Sequence, residues 1–218
     1  VLAEQVPTIV AVVGWLDVDS PASLAECEKY LAAKGGRYLK GIRDIAQDHP
    51  DSNYLARPQV VKTVQGLGKL DITYDILTKT PELKAAIELV RACPDTRFVL
   101  DHISKPYISR QELEPWKSLI TELATFENVS CKISGLVTEA NWKDWEVSDF
   151  TPYTDHIIES FSTSRIMFGS DWPVALLAAD SYSQVVDLAE KVTDGFSNNE
   201  KEAFWALNVA RSYKITNL

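Results

Sequence analysis

The sequence puts chemistry-bearing side chains at the ends of apolar runs. "FVLDHISKP" (98–106) opens with Phe98, Val99 and Leu100, the apolar, partly β-branched run of a buried strand. It then delivers Asp101 and His102 before a Lys105-Pro106 turn. "RIMFGSDWP" (165–173) ends the same way in Asp171. A carboxylate at such a place can take a proton from water. An imidazole can ligate a metal through a neutral nitrogen or hydrogen-bond a carbonyl directly. Arg43, at the end of "YLKGIRDI", offers a fixed fork of donors for a carboxylate or for hydroxyls. Tyr74 in "DITYDIL" can donate to a developing oxyanion, and Lys132 and Ser134 follow in "VSCKISGL". The catalytic candidates are therefore Asp171 and His102, and the substrate-binding candidates are Arg43, Tyr74 and Lys132.

Each residue also has a plainer reading. His102 suits a core histidine satisfied by Asp101, and Asp171 suits the cap of a turn before Pro173. Tyr74 suits a core aromatic, and Lys132 a charge that neutralises nearby acids. Asp17 and Asp44 suit caps or loops. His49 and His156 read as solvated or structural. Trp142 and Trp145 read as surface packing in the loop after "SGL" rather than as stacking partners of a ring. Strand alternation sends Asp101 and His102 to opposite sides, with His102 inward and Asp101 outward as a structural partner.

The elements that must position these residues alternate. Strands are expected at 8–18, 38–45, 71–77, 97–103, 129–136 and 165–173. Helices are expected after Ser20-Pro21, near 57–69, and at 81–93, 111–126 and 153–161. Two more close the chain, the second opening with Ser197 and Glu200 at capping-box spacing. Strands separated by helices make a parallel sheet, since parallel strands need a long crossover. An open doubly wound sheet and a (β/α)8 barrel compete. No Gly-rich phosphate loop follows the first strand, which argues against a dinucleotide site. In either architecture the carboxyl ends of the strands meet the substrate.

Composition excludes several classes. The 218 residues carry a net charge of −9, so attraction to phosphate backbones or anionic membranes is missing. No apolar run approaches the roughly 18–20 residues of a membrane span, and the first residues have no basic n-region of a signal peptide. Cys27, Cys93 and Cys131 are odd in number and lack metal-like spacing, as in a reduced, cytoplasmic protein. No linker divides the chain, so residues 1–218 read as a single domain. A small molecule is the expected partner, and a homo-oligomer is left open.

"FVLDHISKP", "CKISGL", "MFGSDWPV" and "NVARSYKI" resemble, in order, the amidohydrolase-related family of sugar-acid and pyrone-carboxylate lactonases. "VVGWLDV", "LKGIRDI" and "TYDIL" fit the same family, so the resemblance spans the chain. It implies a (β/α)8 barrel in which Asp171 is the last strand's aspartate and His102 the strand histidine. Arg43 matches the family's "GIR" arginine, although family members commonly have His where this sequence has Asp44. The family opens with a strand ending in His-x-His and a second βα unit. This sequence has only His49, His102 and His156, and it starts where the family's third strand would. About two βα units, on the order of 60–70 residues, are expected to be absent, leaving six of eight.

The resemblance implies a hydrolase that opens a lactone, with Asp171 activating water. The alternatives are a metal-dependent, non-oxidative decarboxylase and a non-enzymatic fragment. His102 and Asp171 would be metal ligands together with the absent His-x-His. The residues permit one divalent ion such as Zn²⁺, and equally permit chemistry without metal.

Overall fold

A computed structural model describes residues 2–216. Its contacts group into two compact units. One comprises the residues up to Val99 together with those from Ala210 onward, and the other runs from Leu100 to Val209. The division falls inside a strand, Phe98–Leu100, which is why no linker composition marks it.

The first unit begins with a short helix α1 (Leu2–Gln5) and holds β1 (Val12–Gly14), α2 (Ser23–Ala32), β2 (Leu39–Ile45), α3 (Pro58–Lys69), β3 (Thr73–Leu77) and α4 (Leu83–Ala92). Its strands lie side by side in chain order and run into β4 (Phe98–Leu100). β1 pairs parallel with β2, Gly14 opposite Ile42. β2 pairs parallel with β3, Gly41 opposite Thr73 through Ile45 opposite Leu77. Every residue of β3 is buried, as a strand covered on both faces must be. β1 is far shorter than the 8–18 run predicts, and its Val12 and Val13 are exposed. Ser20 does not cap α2 directly. Ala22 is the capping residue, and its N–H donates to Ser20 Oγ at 3.3 Å.

The second unit continues from β4 with α5 (Trp116–Ala124), β5 (Val129–Ile133), α6 (Val147–Phe161), β6 (Ile166–Phe168), α7 (Tyr182–Val192), α8 (Asn198–Glu202) and the first two residues of α9 (Asn208–Ser212). Again the strands β4-β5-β6 follow chain order. β5 and β6 pair parallel, Cys131 opposite Ile166 and Ile133 opposite Phe168. Neither run of strands reverses, so the described residues show no switch point of a doubly wound sheet. α6 starts six residues earlier than the pattern suggests, because Asp149 accepts from the Glu146 N–H at 2.9 Å. α8 opens with the expected capping box, Ser197 with Glu200. A wider π turn, Ala203–Leu207, leads into α9, where Asn208 Nδ2 donates to the carbonyls of Thr163 and Ile166 beside β6. No helix among the described residues is long and apolar enough to cross a membrane.

Candidate active site

β4 ends at Leu100, short of the predicted 103, and the reason lies in the backbone. His102, Ile103, Ser104 and Lys105 all have positive φ, between 43° and 59°. His tolerates this left-handed region better than most residues, whereas a β-branched Ile does not. Such strain persists only where the surroundings hold it. Here Trp116 Nε1 donates to the Ile103 carbonyl at 2.7 Å, the Lys105 N–H donates to the His102 carbonyl at 2.8 Å, and the Ile103 side chain is buried.

Asp101 is fully buried, and Lys132 Nζ lies 2.7 Å from its Oδ1, so the structural partner it meets is a lysine. Lys132, a substrate-binding candidate from sequence, spends its charge on that carboxylate. Lys105 and Glu139 form a second, mostly buried pair at 3.3 Å.

His102 faces two partners. Its Nδ1 lies 2.8 Å from Ser134 Oγ, just past β5, and its Nε2 lies 3.5 Å from Asp171 Oδ1, just past β6. Asp171 also has a left-handed backbone, φ 52°, a conformation that Asp accepts readily. Its Oδ2 is buried and meets no hydrogen-bond partner among the described residues. Burial holds the His102 pKa below its usual 6.5, against the opposing pull of Asp101 and Asp171, so the ring is neutral at pH 7.

Two glycines make the space. A Cβ on Gly135, whose φ is +61°, would lie 2.8 Å from His102 Cβ and 2.9 Å from its Cγ. A Cβ on Gly169 would lie 2.8 Å from Ser134 Cβ. The structure thus brings together His102, Asp171 and Ser134. Sequence reading had named Ser134 as a polar strand end without a role. The dipeptides Ser134-Gly135 and Gly169-Ser170 after consecutive strands were the available signal, since glycine beside a strand end marks close approach.

The remaining substrate-binding candidates, Arg43 and Tyr74, belong to the first unit. Arg43 lies in β2 and is half-buried. Tyr74 lies in β3, fully buried, and burial, reinforced by Asp44, holds its hydroxyl well above the usual 10. Asp44 is a hub rather than a cap. It accepts from Trp15 Nε1 at 2.9 Å, from Tyr54 Oη at 2.5 Å and from the Val18 N–H at 3.2 Å. Asp75 is fully buried and accepts from Tyr213 Oη at 2.6 Å. Trp145 packs against Phe150 and donates to the Ala178 carbonyl at 2.7 Å, in keeping with a packing role.

A family model described as amidohydrolase matches residues 2–215. The chain belongs to the amidohydrolase family. This amidohydrolase is 35% identical over 219 residues to an L-fucono-1,5-lactonase of Burkholderia multivorans, covering 95% of this chain and 72% of that protein. It also matches the crystal structure of an amidohydrolase from Burkholderia multivorans with bound Zn, at TM-score 0.89 and 36% identity, over 98% of this chain and 76% of the other. A 2,6-dihydroxybenzoate decarboxylase from Rhizobium matches at TM-score 0.65 over 99% of this chain and 75% of the other. At 15% identity that likeness is one of fold alone. The fold is α/β, with six of the βα units of a (β/α)8 barrel.

The donor chemistry of the His102–Asp171 pair bears on a metal site. A neutral imidazole nitrogen and a carboxylate with a buried, unmet oxygen suit a divalent cation. Among the described residues no group of three His, Cys, Asp or Glu forms a fuller set. The two residues fit as a pair of ligands.

Proposed function

We propose that this amidohydrolase opens the lactone ring of a sugar acid, with Asp171 as general base and His102 as the group that polarises the carbonyl. The observation that carries the reading is the buried Asp171 Oδ2, unmet among the described residues, on a carboxylate 3.5 Å from a neutral imidazole. The L-fucono-1,5-lactonase relative, at 35% identity, supports the substrate class.

In this reading Asp171 takes a proton from water, and the water oxygen attacks the lactone carbonyl carbon. Negative charge collects on the carbonyl oxygen, where a donor from His102 is most effective in a site that excludes solvent. The ring C–O bond then breaks, and the departing alkoxide takes the proton back from Asp171. Water and lactone have become a hydroxy acid, which releases a proton at neutral pH. The neutral His102, 3.5 Å from Asp171, makes no strong ion pair with it. A divalent metal such as Zn²⁺, held by His102 and Asp171, would supply Lewis acidity at the carbonyl and lower the pKa of bound water.

Lys132 serves in this account as the partner of Asp101, which anchors the turn that carries His102. Arg43 and Tyr74, in the first unit, carry a donor fork and a protonated hydroxyl, groups suited by their chemistry to a carboxylate or sugar hydroxyl. The three buried free cysteines suit a reducing compartment such as the cytoplasm.

Proton release from L-fucono-1,5-lactone and related sugar lactones, followed with a pH indicator, tests the reading. Turnover above the spontaneous rate supports it. Loss of CO₂ from an aromatic acid, with no lactone opened, would replace it with the decarboxylase reading.

A further inference from the structure

Ser134 is buried, and its Oγ is 2.8 Å from His102 Nδ1. Among the described residues this ring nitrogen is the hydroxyl's hydrogen-bond partner. A buried O–H that donates to nothing bears the full cost of its lost hydration, whereas an unused lone pair is tolerated more easily. A neutral imidazole has one N–H and one bare nitrogen. Two arrangements satisfy the distance. Either Nδ1–H donates to Oγ and the hydroxyl hydrogen is stranded, or the hydroxyl donates to a bare Nδ1 and nothing is stranded.

We propose that Ser134 is the positioning residue that sets the tautomer of His102: its hydroxyl donates to Nδ1 and keeps the ring's single proton on Nε2, on the side of Asp171. The inference rests on the reading of His102 and Asp171 as the reacting pair, and adds what each presents to substrate. His102 offers an N–H. At 3.5 Å from Asp171 Oδ1 this N–H is too far for a good hydrogen bond and stays available to a carbonyl oxygen. Asp171 offers a bare oxygen. Donor and base are thereby sorted before substrate arrives, as a lactone carbonyl and its attacking water require.

The surroundings fix this geometry. Gly135 and Gly169 let the His102 ring and the Ser134 side chain approach to distances that any Cβ would block. At this distance the choice of tautomer falls to Ser134.

Imidazole ¹⁵N spectra of the labelled, chelator-treated chain at neutral pH test this, with His102 signals assigned by their loss in His102→Gln. The expected spectrum has a protonated Nε2 and a bare Nδ1. Ser134→Ala should move both nitrogens toward the averaged shifts of mixed tautomers, and Ser134→Thr, which keeps the hydroxyl, should restore the pattern. Ser134→Ala should also lower kcat about 10- to 100-fold with little change in KM. A wild-type spectrum with the proton on Nδ1 overturns the proposal whether or not the variants fold, and so does a Ser134→Ala spectrum identical to wild type. The spectrum is independent of turnover, so a failed lactone assay and a wrong tautomer are told apart.

Discussion

Lys132 Nζ lies 2.7 Å from Oδ1 of Asp101, a carboxylate with no solvent exposure at the foot of the turn that carries His102. Attraction in so dry a place only offsets the desolvation of the two charges while both are present. Lys132→Met should therefore cost about 3–5 kcal/mol, because it removes the cation paired with a buried carboxylate. Asp101→Asn/Lys132→Met together should cost less than the sum of the single changes. Urea unfolding measures all three, and a loss below about 1 kcal/mol for Lys132→Met would contradict the pairing.

Gly135→Ala tests the close approach beneath His102. The left-handed backbone alone costs about 1–2 kcal/mol for a residue with a Cβ, and the new methyl would press on the His102 ring. Tm should fall by roughly 2–8 °C for a chain of this size. Lactone turnover should fall further than stability alone explains. An unchanged Tm and unchanged turnover would show that the site has slack.

The same structure explains which parts of the site were legible in the sequence. His102 and Asp171 stood out because an acid or imidazole closing an apolar run is costly without purpose. The βα alternation was equally plain, since β3 and α4 keep their apolar patterns where predicted. Alternation says little about where His102 points, because it holds only inside a strand, and four successive positive φ angles begin at His102. Nothing in the composition of "HISK" announces a left-handed turn; Trp116, far along the chain, helps to hold it. Ser134 escaped a role because its partner is 32 residues away. β1 was overextended because a Val-rich run looks alike whether or not it is paired.

The cysteines give a pH prediction. Burial raises the thiol pKa of Cys27 and of Cys93 from 9.0 to about 11. A folded-state pKa above the unfolded value favours the protonated native state. That contribution is complete below about pH 9 and is lost as pH rises from about 9 to 11. At pH 8 the native chain should resist a thiol-specific disulfide reagent and react fully in urea. Rapid labelling of native Cys27 or Cys93 would contradict their burial.

Asp171→Asn tests the central claim most directly. Asn adopts the left-handed backbone of this position as Asp does, so the fold should survive, while the base is gone. Proton release from L-fucono-1,5-lactone should fall by roughly 10²- to 10⁴-fold relative to the wild type, with an unchanged circular dichroism spectrum. Near-normal turnover in a folded Asp171→Asn chain would show that another group activates the water.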